Sequence, residues 1–226
     1  MTKQKLKMTA DGSVTLYLPD MDEQYHSLNG AVTEAQYVYI ERGYMSHKET
    51  KAIVFEVGLG TGLNCFLTAV RSADLQRDTT YYSVEAFPVS SALIKHLNYT
   101  HLFGEKYASL FFSIHESPWE EYISLTPYFR LFKIRADFTK GSWNKFNGCN
   151  VIYYDAFGPD KQPEMWSSEI FSSLYNVTLP GGIIVTYSAK GTVRRGLSDA
   201  GFRMKRLPGP PGKKEMLRGI KVESNI

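Results

Sequence analysis

Four acidic residues and one glycine cluster stand where side chains and backbone could do chemistry together. Glu56-Val57-Gly58-Leu59-Gly60-Thr61-Gly62 joins an apolar run, AIVFEVG (52–58), to a segment with helical spacing, TGLNCFLTAVRSA (61–73). Glycines let such a turn fold tightly and bring backbone against a ligand, and the helix start adds free N–H groups. Glu85 lies in TTYYSVEAF (79–87), 27 residues after Gly58, where a carboxylate accepts from both hydroxyls of a ribose. Asp137 lies in YFRLFKIRADF (128–138), placed to accept from an adenine amino group, with Phe138 beside it to flank the base. Asp155 lies in CNVIYYDAF (149–157). Any one of these acids also reads as a solvated strand end, and the glycines as a plain strand-to-helix turn. Acids at successive strand ends beside a glycine turn are harder to explain that way.

The glycine spacing narrows the ligand. Dinucleotide enzymes use G-x-G-x-x-G with a pyrophosphate over the helix end. This chain has G-x-G-x-G preceded by an acid. That variant suits S-adenosylmethionine, which has no phosphate but carries a carboxylate, an ammonium and a sulfonium. Glu56 would act on the cationic end, directly or through water. The expected cofactor set is Glu56, Gly58, Gly60, Gly62, Asn64, Glu85, Ala86, Asp137, Phe138 and Asp155, with no metal.

Alternating elements position these residues. The runs at 52–58, 79–87, 128–138, 149–157 and 180–188 read as strands, and those at 61–73, 88–100, 163–178 and 191–201 as helices, with a longer helical region around SLFFSIHESPWEEYISL. FRMKRLPG and KKEMLRGIKV read as a closing hairpin. The pattern predicts an α/β, doubly wound, Rossmann-like sheet of the class I methyltransferase type, mostly parallel with one antiparallel strand from the hairpin. Ahead of it, SVTLYLP reads as a strand in a hairpin and 30–44 as an amphipathic helix. Residues 1–44 are thus expected to pack on a transferase domain of residues 45–226.

Composition excludes some classes. Hydrophobic residues make up 43% and charged residues 22% of 226, as in ordinary globular proteins. No apolar run approaches the roughly 20 residues that span a bilayer, and no signal peptide is read at the basic start, so a cytoplasmic location is expected. Cys65 and Cys149 read as buried free thiols. The net charge of +3 is uneven. Residues 190–226 hold ten basic and three acidic residues, +7, against sixteen basic and twenty acidic, −4, in residues 1–189. A basic segment of this kind is the footprint of a polyanion binder or an ordinary solvated surface.

The chain resembles the methyltransferase domain of the bifunctional MnmC family. The likeness is carried by SLNGAVTEAQYVYI, EVGLGTGLN, SVEAFP, DAFGPDKQPEMW, LPGGIIVTYSAKGTVRRGLSDAGF and GKKEMLRG, between about Tyr25 and Gly219. It departs at Ala136-Asp137, where relatives often have Gly-Asp. Relatives also carry a flavin-dependent oxidase domain for which these 226 residues leave no room. The resemblance implies a stand-alone transferase dependent on other enzymes for its substrate. It would methylate the 5-aminomethyl group of the tRNA wobble uridine to give 5-methylaminomethyl(-2-thio)uridine. Asp155 would orient the amine and receive or relay its proton, although the same carboxylate also favours the unreactive ammonium. Phe157, Pro159 and Trp166 would wall the pocket and stack on the flipped base, or else serve core packing. Lys161, Lys190, Arg194, Arg195, Lys213 and Lys214 would meet phosphates of the anticodon stem-loop.

Three rivals stay open. A same-fold aminopropyltransferase acting on a small amine would share the cofactor acids without needing the basic segment. A non-catalytic module would bind the cofactor or RNA and would not need Asp155. A nicotinamide dehydrogenase is disfavoured by the glycine spacing.

Overall fold

The computed structural model describes residues 4–104, 107–146 and 148–222; the outer ends of the two expected segments, 1–3 and 223–226, lie outside them. In chain order the elements are β1 (Lys5–Met8), β2 (Val14–Leu18), β3 (Glu23–Gln24), α1 (Ala31–Ala35), β4 (Lys51–Val57), α2 (Leu63–Leu75), β5 (Asp78–Glu85), α3 (Ser91–Ile94), α4 (Tyr99–Phe103), α5 (Ala108–Glu116), β6 (Tyr122–Thr126), β7 (Phe129–Arg135), β8 (Cys149–Tyr154), α6 (Ser168–Val177), β9 (Thr178–Thr186), α7 (Gly191–Asp199), β10 (Phe202–Pro208) and β11 (Glu215–Lys221).

The main sheet runs β10-β11-β9-β8-β4-β5-β7-β6. Strands β9, β8, β4, β5 and β7 are mutually parallel. The expected antiparallel strand is β11, paired with β9 and with β10. A second antiparallel strand, β6, closes the opposite edge. Both faces of the central strands are apolar, as a parallel sheet between helices requires. One core joins Val54, Tyr81, Leu131, Tyr153 and Val185 to α2 and α5; the other joins Phe55, Val84, Ile134, Ile152 and Ile184 to α6, α7 and the short turns at Phe138–Lys140 and Asn144–Phe146. Chain order reverses across β4, so a crevice opens where β4 and β8 end, the usual ligand position in open α/β sheets.

Four helical expectations changed, each for a local reason. Residues 88–100 split into α3 and α4, because Asn98 turns its amide to the N-terminal hairpin, donating to Gly12 O at 2.8 Å and accepting from Val14 N at 2.8 Å. The long region from 109 divides into α5 and β6: Pro118 disfavours a helical residue before it, and Ser117 is extended. The helix expected over 30–44 is α1 followed by a wider turn at Gln36–Glu41, where Arg42 N reaches back to Tyr37 O at 3.1 Å. The helix from Pro163 begins as a tight turn at Pro163–Trp166, and α6 starts afresh with Ser167 Oγ accepting from Ile170 N. The early strand belongs to a three-stranded antiparallel sheet, β1-β2-β3. Asp11 ties that sheet to α1, accepting from Ser13 N at 3.0 Å and from Thr33 N at 2.8 Å.

No helix among the described residues is long and apolar enough to cross a membrane. Cys65 and Cys149 are buried free thiols.

Phe55 is fully buried, with Phe138, Trp143 and Phe146 ring centres 5.8–6.1 Å away. Phe55→Ala empties the space behind β4, and urea unfolding is expected to show a loss of about 3–5 kcal/mol with an unchanged m-value.

Candidate functional site

The pairing of β8, β4, β5 and β7 brings Asp155, Glu56, Glu85 and Asp137 to one edge of the sheet. Gly58 leaves β4 at φ 94° and donates its N–H to Val84 O at 2.9 Å. A Cβ there would stand 3.1 Å from the Asp155 carbonyl oxygen. Gly62 starts α2 at φ 74°, where a Cβ would meet His115 Nε2 at 2.7 Å. The turn therefore needs glycine for both its dihedrals and its neighbours. Glu85 braces it from β5, accepting from Gly60 N at 2.9 Å and from Phe87 N at 2.7 Å. Ala86 follows on the same edge.

Glu56 is fully buried. Its Oε2 accepts from Ser83 Oγ at 2.7 Å, while Oε1 has no hydrogen-bond partner among the described residues. Burial pushes its pKa up to about 8, with the Ser83 hydrogen bond opposing and the Asp155 charge adding. Asn64, in the first turn of α2, also keeps a buried, unpartnered Oδ1. These two unpartnered oxygens at the glycine turn are what a cationic, hydrogen-donating group would satisfy once Glu56 gives up its proton. The donor set thus fits the ammonium end of S-adenosylmethionine.

Asp155 is clamped from two sides. Tyr39 Oη donates to Oδ1 at 2.6 Å, and Asn64 Nδ2 donates to Oδ2 at 2.8 Å. Burial raises its pKa to about 6 against those two bonds. The result is a carboxylate ionised at neutral pH but able to take a proton. Tyr39 belongs to the amphipathic segment 30–44, where its type and spacing mark it as apolar surface. Its hydroxyl enters the site through the wider turn at 36–41, and a search for polar-tipped residues on that buried face would have marked it.

The segment after β3 roofs the turn, which the sequence reading did not foresee. Tyr25 packs on Gly60, and its ring meets Phe157 edge-on at 5.2 Å. His26 lies between Thr15 Oγ1 at 3.0 Å and Thr61 Oγ1 at 3.3 Å, and burial lowers its pKa to about 4, so it is neutral.

Several expected residues are placed differently. Asp137 is partly exposed and caps its own turn, accepting from Thr139 N at 3.0 Å and pairing with Lys140 at 3.0 Å. The Phe138 ring does not flank the cleft; it stacks on Trp143 at 4.8 Å inside the core, where its apolar area is better buried. Trp166 donates Nε1 to Phe157 O at 2.8 Å and packs edge-on against Tyr154, bracing the wall. Pro159 is half-buried beside them. Lys213 is drawn inward, paired with Glu34 and 4.1 Å from the Tyr187 ring centre. Lys190 pairs with Asp160, and Lys161 Nζ donates to Met21 O at 2.8 Å. Arg194, Arg195 and Lys214 carry no ion pair among the described residues.

The buried Glu56 leaves a signature in the ligand-free protein. Its folded pKa, about 8, lies above its ordinary 4.5, so the native state holds an extra proton between these values and stability falls as pH rises. His26 and His115, with folded values of about 4, act with the opposite sign only below 6.5. Between pH 6.5 and 8, urea unfolding is expected to show a loss of roughly 1–2 kcal/mol, and Glu56→Gln is expected to flatten that slope.

The sequence pattern of a family described as S-adenosyl-L-methionine-dependent methyltransferase matches residues 120–222, from just before β6 to just after β11. Among solved structures, MNMC2 from Aquifex aeolicus superposes with a TM-score of 0.81 at 21% identity, over 99% of this chain and 72% of that one. Spermidine synthase from Thermotoga maritima gives 0.61 at 12% identity, over 99% and 70%. A probable spermidine synthase from Corynebacterium glutamicum ATCC 13032 gives 0.53 at 15% identity, over 98% and 77%. Residues 120–222 thus carry the pattern of S-adenosyl-L-methionine-dependent methyltransferases, and the chain as a whole has an MnmC2-like fold.

Proposed function

We propose that the acceptor is the 5-aminomethyl group of the tRNA wobble uridine, N-methylated to give 5-methylaminomethyl(-2-thio)uridine. The observation that carries this reading is the clamped, desolvated Asp155 at the end of β8, beside the glycine turn. The basic segment from Lys190 and the family-specific blocks of the sequence point to RNA as the carrier of the amine.

Bound S-adenosylmethionine supplies an electrophilic methyl group on a sulfonium. The backbone of Gly58–Gly62 would hold that cofactor, with Glu56 and Asn64 receiving its ammonium. Glu85 and Ala86 would take its ribose, and Asp137 its adenine amino group. A free alkylammonium has a pKa of about 10.4 and is unreactive while protonated. Asp155 accepts one N–H of the neutral amine, so the nitrogen lone pair points away from the carboxylate. It then takes the proton that the nitrogen sheds and passes it to solvent. Tyr39 and Asn64 stop the carboxylate from rotating. This is positioning first and proton acceptance second.

Phe157 and Pro159 line the way in, with Trp166 as their brace. Arg194, Arg195 and Lys214 meet anticodon-stem phosphates, and Lys161, Lys190 and Lys213 join them on release from their present partners. In this reading residues 1–44 pack on a transferase domain of residues 45–226, the protein works in the cytoplasm, and upstream tRNA-modifying enzymes make its substrate. The likeness in fold to spermidine synthases favours a second reading, transfer to a small amine.

Labelled S-adenosylmethionine, offered to tRNA from cells lacking this gene, is expected to yield methylaminomethyluridine on nucleoside analysis. Asp155→Asn should lower that rate by about 10²–10⁴. Label in another nucleoside refutes the acceptor, and aminopropyl transfer from decarboxylated S-adenosylmethionine to polyamines, with no label in tRNA, selects the second reading. Activity of the unaltered enzyme is expected to fall below pH about 6 as Asp155 becomes protonated. Tyr39→Phe removes a hydrogen bond that favours the carboxylate, so this acidic limb should move to higher pH while the alkaline side stays in place.

A further inference from the structure

On the α5 side of the glycine turn, a cavity of about 220 Å³ lies between the turn, the segment after β5, the end of α5 and β7. None of Glu56, Glu85, Asp137 and Asp155 lines it. Lys133, in the middle of β7, does line it and is only 1% exposed. Its Nζ donates to His115 O at 2.9 Å and lies 4.8 Å from the centre of the Trp119 ring. An ammonium has three N–H groups, and the carbonyl uses one. Among the described residues no carboxylate stands within ion-pair distance of it. Charges taken out of water are normally paired or neutralised. Here burial draws the Lys133 pKa down to about 8.

The rest of the wall restricts the partner. Leu59, Ile94, Phe112 and Trp119 are apolar, and Lys95 and Glu116 stand exposed at the rim. His115 is half-buried and neutral, with a pKa lowered to about 4 by desolvation and by the Lys133 charge. It cannot serve as the counter-ion. An inorganic anion would leave the aromatic wall unmatched, and a neutral apolar molecule would leave the ammonium unanswered.

We infer that this cavity binds a small carboxylate with an aromatic body, its carboxylate on Lys133 and its ring against Trp119 and Phe112. At about 30 Å³ per water the cavity equals about seven waters, and the bonded atoms of a ring pack more closely than that, so one small aromatic molecule fits. The site stands apart from the acceptor amine and does not depend on which acceptor is used. It shares only Leu59 and Gly60 with the cofactor turn.

Phenylacetate and phenylacetamide have the same shape and differ in charge, so titrating each into the ¹⁵N-labelled protein tests the site. Phenylacetate is expected to shift backbone signals around Leu59, Ile94 and Trp119 saturably. The amide should bind roughly tenfold more weakly or worse. Lys133→Met should bring the acid down to the amide's affinity, and S-adenosylhomocysteine should leave bound phenylacetate in place. Equal affinity of acid and amide for the unaltered chain overturns the inference, as does the absence of any saturable shift. Displacement by S-adenosylhomocysteine also overturns it, because the acid would then be in the cofactor cleft. The acid–amide comparison uses the native chain, so it stands even if Lys133→Met folds poorly.

Discussion

A carboxylate removed from water must be given hydrogen bonds or give up its charge, and the site is organised by how Glu56 and Asp155 meet that requirement. They lie at the ends of adjacent strands, and the charge of Asp155 raises the cost of ionising Glu56. Glu56 has one donor, Ser83, and an oxygen left over; it is the acid that stays protonated without a ligand. Asp155 has a donor on each oxygen and keeps its charge near neutral pH. Two acids of one sheet edge thus take different states, with the number of donors on each and the charges around them setting the balance. One waits for a cation and the other stands ready for a proton.

Asn64 couples the two roles. Its amide nitrogen holds Asp155, and its oxygen remains open on the Glu56 side. A ligand that donates to that oxygen also fixes the amide that steadies Asp155. Cofactor binding and acceptor positioning therefore share one side chain on the first turn of α2. The N-terminal segment serves the same edge, with Tyr39 as a donor to Asp155 and Tyr25 as a roof over Gly60.

The charges of the basic segment do not act alike. Lys213 and Lys190 are spent on Glu34 and Asp160, and Arg206 is paired with Glu215 at 3.4 Å. Arg194, Arg195 and Lys214 carry no ion pair among the described residues. An excess of +7 in the sequence is thus a smaller free charge in the fold, since pairing with acids from distant parts of the chain cancels some of it.

Local patterns determined what depends on neighbours in the chain. Apolar runs became central strands because burial on both faces tolerates nothing else, and the spacing of Gly58, Gly60 and Gly62 marked the turn because their φ values exclude side chains. Glu56, Glu85, Asp137 and Asp155 could be placed on one edge from strand order alone. The state of each acid could not, because it is set by donors far away in sequence: Tyr39 lies 116 residues from Asp155. The same holds for Phe138, whose ring chose Trp143 over the cleft, and for Asn98, which broke a helix to hold the N-terminal hairpin. The sequence by itself determined the sheet, the turn and the list of acids. Only the tertiary structure decided which acid is charged and, among the described residues, which cations lack an ion pair and where a lysine is buried without one, because these are properties of contacts between distant segments rather than of residue type or spacing.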